Sequence, residues 1–515
     1  MHIQRRRVNI IGLAFALFWA VLFSFWLDRP NSASIDPALK PTVETLVSDG
    51  NHNFNPDIVE WNGYVYMCYV SSPYHWGNPG SKVIVKHSSD LSTWDTVLEV
   101  NGSEWIPGAD IRDPKLLVID DHLFLYALIN PGGLLADPDV TIFTYTLNGT
   151  SWTPVRQAYT KDWCFWRPKL DPANTTAYVA AYYYQRGVVD LLSSTDGITW
   201  TNQSRILTGG DVSEAELTFL PNGQLLCVSR YPIGGLDPAG NNNGGTMIST
   251  SSAPYTNWTS KLDTLVRIDG SVIVNATGRL IAIGRSQPEQ DPFLIQSGSI
   301  FAKKRTSLFL VNETTLTYLT DLPSSGDTGY AGAIIRGDDL IVAYYTSKST
   351  TDLPWFAGWL FPTDLKLAII PLSNLDAVIA SPQSPNIGYP IGENIIVIGT
   401  IAITVLAIAL FWNDTSPGMK WQWPTRLKKT LSKRSIAVLS IGLTALTWVA
   451  IFFLPATVNL LAGIAEIFIS AQGMYQKKND PLHVVLMCIT IAGLALPWVL
   501  AFTVHGFIPG HVFLP

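Results

Sequence analysis

The chain has 515 residues, a formal net charge of −6 and only 14% charged residues. This length supplies two or three structural units, and without a basic stripe the chain gives no reason to expect a nucleic-acid partner. Its four cysteines lack the paired spacing of a zinc site or a disulfide scaffold, so we expect buried free thiols.

The chain begins with an apolar run. Residues 8–26 are mostly apolar and follow Arg5, Arg6 and Arg7. A helix of this length crosses the ~30 Å hydrocarbon core of a membrane, and the arginines favour a cytoplasmic N-terminus. Bulky residues at the end of the run favour an uncleaved signal anchor within residues 1–30, with a cleavable signal peptide as the alternative.

A repeat of about 55 residues organises the segment 43–380. Turns of the form Ser-x-Asp-x-x-x-Trp recur at 88–94 and 194–200, with a degenerate copy at 146–152. Hairpins with alternating strands precede these turns, and they open near residues 55, 110, 163, 213, 268 and 328. Six units of short strands predict a mainly β fold, a six-bladed β-propeller, with a solenoid as the alternative.

Three further apolar runs, 395–412, 436–454 and 484–504, predict a C-terminal membrane region of about three transmembrane helices over residues 395–515. The loop between the first two runs carries six cations and is expected in the cytoplasm, so the propeller is expected on the extracytoplasmic side. Residues 457–470 predict an interfacial or re-entrant helix, with an additional span as the alternative. Three prolines mark residues 381–394 as a linker.

Three motifs stand in order along the central segment: His52-Asn53-x-x-x-Asp57, Arg112-Asp113-Pro114-Lys115 and Gly326-Asp327-Thr328-Gly329-Tyr330. With these motifs, residues 50–372 resemble the sialidase superfamily, specifically the bacterial exo-α-sialidase-like propellers, and the aromatic turns resemble its Asp boxes. The resemblance implies a six-bladed propeller and a retaining glycoside hydrolase that uses a tyrosine nucleophile.

The resemblance also implies roles for individual residues. Tyr330 opens the last blade, as the nucleophile does in the family, and Glu214 is the carboxylate that deprotonates it. Glu214 lies nine residues before Gly223, and Arg230 lies seven residues after that glycine, which are the family's spacings. Arg305 matches the family's third arginine, so Arg230 and Arg305 are expected to grip a substrate carboxylate.

Two family residues have no counterpart in this chain: the first arginine and the acid/base aspartate of the first-blade loop. We expect Arg112 to replace the arginine and His75 or Asp57 to supply the proton. The remaining expected substrate-binding residues are Asp113, Arg167 and Asp327. The plainer alternatives are a structural Arg112–Asp113 ion pair, a surface histidine at position 75 and a tyrosine that only plugs the channel. Arg285 is expected to be structural.

The sequence thus predicts a membrane-anchored, sialidase-like glycoside hydrolase acting on an external, anionic glycan, without a metal or an organic cofactor. The expected partners are the glycan and the membrane. One alternative is a catalytically inactive glycan-binding or adhesion propeller. Another places the function in the membrane bundle, with the propeller as a receptor domain.

Overall fold

The computed structural model describes residues 31–384 except 76, 132–139, 184–186, 210–211, 232–244, 264–265, 288–302, 348, 354 and 360. The described residues belong to one compact unit, Asp28–Gly388. Among them, no helix combines the length and apolar character that a membrane crossing requires. The predicted anchor in residues 1–30, the end of the linker and the predicted membrane region 395–515 lie outside the described residues.

Six antiparallel sheets, the blades, follow one another along the described chain. The first three blades comprise β2 (His52–Trp61), β3 (Tyr64–Ser72), β4 (Lys82–Ser88) and β5 (Asp95–Asn101); β6 (Asp110–Ile119), β7 (His122–Asn130), β8 (Val140–Thr146) and β9 (Arg156–Gln157); and β10 (Cys164–Phe165), β11 (Lys169–Leu170), β12 (Ala177–Tyr183), β13 (Val188–Ser194) and β14 (Thr201–Thr208). Their first strands begin within three residues of the predicted openings.

The other three blades comprise β15 (Ser213–Phe219), β16 (Leu225–Tyr231), β17 (Gly245–Ser251) and β18 (Thr259–Asp263); β19 (Ile268–Ala276), β20 (Arg279–Ser286), β21 (Arg305–Val311) and β22 (Leu316–Asp321); and β23 (Thr328–Arg336), β24 (Asp339–Thr346), β25 (Asp364–Pro371) and the N-terminal β1 (Thr42–Val47). Since β1 pairs with β25 and β2 lies beside β23, the last blade joins the first and the ring closes. The predicted six-bladed β-propeller is confirmed.

Three short helices accompany the strands in the described part of the chain: α1 (Gly102–Trp105), α2 (Trp355–Gly358) and α3 (Leu372–Ala380). The blades pack face to face through apolar side chains such as Val65 and Met67 of blade 1 and Leu125 and Ala127 of blade 2. Each fully buried aliphatic side chain contributes about 1.5–3 kcal/mol. Three of the cysteines are buried, as expected: Cys68, Cys164 and Cys227.

The aromatic turns are structural. Ser88 Oγ accepts the N–H of Leu91 at 2.8 Å, while Asp90 accepts the N–H groups of the next two turn residues. The indole of Trp94 donates to the carbonyl of Leu91 at 2.9 Å. The turn at 194–200 repeats the Ser and Asp contacts. Serine and aspartate side chains of this kind replace backbone partners in tight turns, so these residues hold the blades and take no part in chemistry.

A β-bulge interrupts the innermost strand of five blades. Each bulge contains one residue with φ between 47° and 59°: Asn55, Asp113, Glu214, Gly270 and Tyr330. In blade 3 the segment Trp166-Arg167-Pro168 separates the two short inner strands. A bulge re-aims a side chain out of the ladder, and here the bulges turn side chains from several blades toward one another in the channel.

Candidate active site

Two bulge residues from opposite stretches of the chain meet in the channel. The hydroxyl of Tyr330 donates a hydrogen bond of 2.6 Å to Glu214 Oε1, and the other carboxylate oxygen accepts the N–H of Gly270 at 2.8 Å. Tyr330 is 8% exposed and Glu214 6%. Burial raises the pKa of the Tyr330 phenol well above its ordinary value; Arg285 and Arg230 oppose this rise and Glu214 adds to it. The phenol is therefore neutral, with its proton directed at a carboxylate.

Two arginines flank this pair. Arg230 Nη1 contacts the Glu214 carboxylate and lies 3.4 Å from the Tyr330 hydroxyl oxygen. Arg285 Nη2 donates to the same hydroxyl at 3.1 Å, and its guanidinium carbon lies 4.7 Å from the centre of the phenol ring. The structure thus brings together Tyr330, Glu214 and Arg230, as predicted, and adds Arg285, which the sequence analysis expected to be structural.

Arg305 does not belong to this group. It contacts Asp352, and its Nη2 lies 3.2 Å from Ser32 Oγ. Arg305 begins β21 and pairs with Ser286 in the antiparallel ladder, whereas Arg285 lies on β20, one strand closer to the channel. The arginine beside the phenol in blade 5 is therefore Arg285, not Arg305.

A buried aspartate that the sequence analysis missed holds the arginines in place. Asp269 is 2% exposed, and its carboxylate accepts from Arg267 Nε at 2.8 Å and from Arg285 Nη2 at 3.1 Å, with Arg230 Nε at 3.7 Å. Burial raises the pKa of Asp269, but the three arginines outweigh it and hold this pKa well below the ordinary range. The sequence feature that could have identified Asp269 is its position immediately before Gly270, the bulge residue of blade 5.

A second ion-pair network fills the channel interior. Arg167 donates from Nε to Asp57 at 3.0 Å and from Nη1 to Glu216 at 2.8 Å, and its guanidinium also reaches the backbone carbonyls of Ser271 and Ala331. The other oxygen of Asp57 accepts the N–H of Leu116 at 2.9 Å. Asp57 and Arg167 thus form a hydrogen-bonded ion pair with each other and bond to further protein groups. These are the contacts expected of residues that stabilise the fold.

Arg112 and Asp113 have separate partners. Arg112 pairs through Nε with Asp110, and its Nη2 donates to the carbonyl oxygen of His75 at 2.7 Å. Asp113 accepts a hydrogen bond from Asn55, the bulge residue of the neighbouring blade. Arg112 therefore lies beside the first-blade loop, and Asp113 contacts the bulge of blade 1. The ion pair of Arg112 is formed with Asp110 and not with Asp113, which was the structural alternative.

Asp327 joins blade 6 to blade 1 through two histidines. Its Oδ2 lies 2.9 Å from His52 Nε2 and 2.6 Å from His75 Nδ1, and its Oδ1 accepts from Trp355 Nε1 at 2.8 Å. Burial raises the pKa of Asp327, but His75 and His52 outweigh it and hold this pKa well below the ordinary range. Burial lowers the pKa of His75, and Asp327 opposes that shift.

These contacts bear on two predicted roles. The predicted substrate-binding residue Asp327 contacts side chains of the protein itself. His75 is 20% exposed and stacks on Trp359, with ring centroids 5.6 Å apart. Arg285 Nη1 lies 3.7 Å from Asp327 Oδ1, so this group adjoins the Tyr330 pair.

Gly270→Ala tests how tightly the phenol is held. A Cβ at this position would lie 2.4 Å from the Tyr330 ring, so the ring must move and its hydrogen bond to Glu214 is lost. We expect a loss of about 1–3 kcal/mol in unfolding free energy beyond the cost of a positive φ. The control is Gly278→Ala, which shares the positive φ but has nothing within 4 Å of its Cβ. Thermal unfolding of both variants measures the difference, and equal losses would refute the tight contact.

No family model and no curated protein matches this chain. Solved structures that resemble it include a protein of unknown function from Dyadobacter fermentans (16% identity, 65% of this chain and 100% of that one, TM-score 0.49). They also include the Trypanosoma rangeli sialidase in complex with sialic acid (14%, 76% and 64%, 0.48) and the phage phi92 endosialidase (11%, 65% and 69%, 0.48). The chain therefore spans less than two thirds of the trypanosomal sialidase. Sialidases are thus among the solved structures to which this chain is similar.

Proposed function

We propose that the propeller is a retaining glycoside hydrolase in which Tyr330 is the nucleophile and Glu214 its base. The observation that carries the proposal is the 2.6 Å hydrogen bond from the Tyr330 hydroxyl to Glu214. A neutral phenol is a poor nucleophile, and a carboxylate at hydrogen-bond distance removes its proton as the new bond forms.

The chemistry would run in two displacements. Tyr330 Oη attacks the anomeric carbon, its proton passes to Glu214, and the glycosidic C–O bond breaks as the leaving oxygen takes up a proton. Water then attacks the same carbon and gives its proton to the group that protonated the leaving oxygen, while the bond to Oη breaks and Tyr330 recovers its proton from Glu214. Asp57 has both carboxylate oxygens engaged in the interior, so His75, which is partly exposed, stays the predicted donor of the leaving-group proton.

The substrate that we propose is an anionic glycan. Three arginines, Arg230, Arg267 and Arg285, surround two carboxylates, Glu214 and Asp269, so this group carries an excess positive charge. Arg267 is 8% exposed, and its Nη1 has no hydrogen-bond partner in the described part of the chain. A buried guanidinium N–H without an acceptor is costly, and a substrate carboxylate would satisfy it.

A trapping experiment tests the mechanism. The full chain is incubated with a panel of acidic and neutral glycans and with fluorinated glycosides that slow the second displacement. We expect released sugar of retained anomeric configuration and a sugar adduct on the peptide that contains Tyr330, both detected by mass spectrometry and NMR. Bound glycans without release would favour the glycan-binding alternative, and an adduct on another residue would reject Tyr330.

Exchanging the two arginines of blade 5 for lysine separates their roles. Arg285→Lys removes the hydrogen bond to the Tyr330 hydroxyl and the planar fork, so we expect kcat/KM to fall by about 10²-fold or more. Arg305→Lys disturbs the pair with Asp352, away from the phenol, and we expect lower thermal stability with kcat/KM of the folded protein nearly unchanged. Steady-state kinetics on the substrate found in the panel decides, and the reverse pattern would restore Arg305 to the site.

We further propose that residues 1–30 and 395–515 anchor the propeller on the extracytoplasmic side of a membrane. The support is the distribution of apolar runs and cations along the sequence. Protease digestion of sealed, right-side-out vesicles tests this placement, because a propeller that stays protected until detergent is added would contradict it.

A further inference from the structure

Two histidines and an aspartate meet where the ring closes. His52 begins β2, His75 lies in the loop between β3 and β4, and Asp327 immediately precedes β23. One ligand atom from each, His52 Nε2, His75 Nδ1 and Asp327 Oδ2, lies within 4.8 Å of the other two. The side chains of His52 and Asp327 are fully buried, and that of His75 is 20% exposed, so the group has one side toward solvent.

Both ring nitrogens of His52 face acceptors. Its Nδ1 lies 2.9 Å from the carbonyl oxygen of Phe361, and its Nε2 lies 2.9 Å from Asp327 Oδ2. A neutral imidazole carries one N–H and can donate to only one of these two oxygens. In the tautomer that donates to Phe361, the lone pair of Nε2 faces Asp327 Oδ2, and a metal ion between these two atoms would replace their repulsion with two ligand bonds.

The surrounding contacts are those of an oriented ligand set. The carbonyl of Phe361, 2.9 Å from Nδ1, orients the ring of His52. The second oxygen of Asp327 accepts from Trp355 Nε1 at 2.8 Å and from the Tyr345 hydroxyl at 3.2 Å, which leaves Oδ2 for the histidines. Hydrogen bonds of this kind orient metal ligands in proteins and raise their basicity.

Nearby arginines leave the charge of Asp327 available. Arg285 lies 3.7 Å from Asp327 Oδ1 but donates to Asp269 at 3.1 Å, so its main anionic partner is Asp269. Arg112 pairs with Asp110. Asp327 is thus the carboxylate that balances a cation between the two imidazoles.

We propose that His52, His75 and Asp327 bind a divalent transition-metal ion of the zinc or manganese class through Nε2, Nδ1 and Oδ2. Two imidazoles and one carboxylate suit such ions, whereas calcium and magnesium prefer oxygen ligands. Ligand bonds of about 2.1 Å place neighbouring donor atoms about 3.4 Å apart at the tetrahedral angle of zinc and about 3 Å apart at right angles. The nitrogen–oxygen separations of 2.9 and 2.6 Å are shorter than both values, so each must lengthen by up to about 0.8 Å to admit the ion.

This proposal departs from the sequence-based expectation of no metal. Asp327 stands 275 residues from His52 and 252 from His75, so no ligand spacing marks the set and only ring closure brings it together. Arg285 lies between the proposed metal site and the Tyr330 phenol. Its Nη2 donates to the Tyr330 hydroxyl at 3.1 Å, and its Nη1 lies 3.7 Å from Asp327 Oδ1. An ion on Nδ1 leaves Nε2 of His75 outside the coordination sphere, so the metal site is compatible with the proposed proton transfer from this histidine, although both use the same residue.

Metal titration of the full chain in detergent tests the site without any need for turnover. After treatment with a chelator, Zn²⁺ and Mn²⁺ are titrated separately by calorimetry, and bound metal is counted by mass spectrometry. We expect one ion per chain for at least one of the two metals. His75→Ala and Asp327→Asn should bind it at least about 100-fold more weakly. His122→Ala, which removes a histidine bonded to the carbonyl of Asp120 elsewhere in the propeller, is the control and should bind normally.

His75→Ala changes a partly exposed side chain and decides the test if the buried Asp327→Asn variant does not fold. Failure of the wild-type chain to bind either metal more tightly than about 10 µM would overturn the proposal. Unchanged binding in folded His75→Ala would overturn it as well. Neither result bears on the Tyr330 mechanism, because no glycan is present.

Discussion

Tyr330→Phe lowers kcat for glycoside hydrolysis by about 10⁴-fold or more, the scale seen when a covalent nucleophile is removed. The substitution deletes only the hydroxyl that is hydrogen-bonded to Glu214. The ring keeps its contacts, including Trp166, whose ring centroid lies 6.0 Å away, and the Arg285 guanidinium. We therefore expect the variant to fold and to bind glycan with an affinity near that of the wild type. Single-turnover kinetics and ligand titration measure the two properties separately.

Tyr344→Phe is the matched control. Tyr344 is also fully buried, but its hydroxyl donates to the backbone carbonyl of Pro323 at 3.1 Å, away from the channel pair. Its loss is expected to reduce unfolding free energy by about 1 kcal/mol and to leave kcat unchanged. A Tyr330→Phe enzyme that retained a tenth of wild-type turnover would exclude the phenol as nucleophile.

Arg167→Met destabilises the propeller by about 3–5 kcal/mol, the cost of leaving buried charges without their partner. The guanidinium joins Asp57 and Glu216 from different blades and also reaches two backbone carbonyls. Methionine fills a similar volume but leaves these acceptors unsatisfied, although Lys169 still lies 3.0 Å from Glu216. Chemical denaturation followed by tryptophan fluorescence measures the change.

A surface control and a compensating combination of substitutions test this explanation. Arg205→Met removes an arginine that also pairs with an aspartate, Asp190, but is 49% exposed, and we expect a loss of at most about 1 kcal/mol. Adding Asp57→Asn and Glu216→Gln to Arg167→Met should restore part of the stability, because the unpaired charges are removed. A loss of catalysis at full stability in Arg167→Met would instead support the substrate-binding role that the sequence analysis expected.

Local patterns in the sequence were sufficient for the blades and for part of the site. Hairpin turns and aromatic turns depend on neighbouring residues, so the strand openings and the positions of the aromatic turns could be predicted. Glu214 and Tyr330 were selected through the resemblance to the sialidase superfamily. The motifs that carry this resemblance lie within single hairpins, so they are visible in the linear sequence.

Contacts between blades were beyond such patterns. The resemblance to the sialidase superfamily selected Arg305, but the contact to the phenol comes from Arg285, which lies on β20 opposite β21 in the antiparallel ladder. The linear sequence does not show which of these two strands lies nearer the channel. Asp269 carries no motif, and its importance arises only when three arginines converge on it. The Asp327 motif was visible, but its histidine partners appear only when the last blade meets the first.

The left-handed bulges have an energetic consequence for engineering this protein. Asn55 and Gly270 adopt a positive φ at little cost, whereas a glutamate and a tyrosine in the same conformation each lose roughly 1–3 kcal/mol. A redesign guided by thermostability alone would therefore favour glycine or asparagine at positions 214 and 330. The resulting propeller would be more stable but would lack the proposed nucleophile and its base.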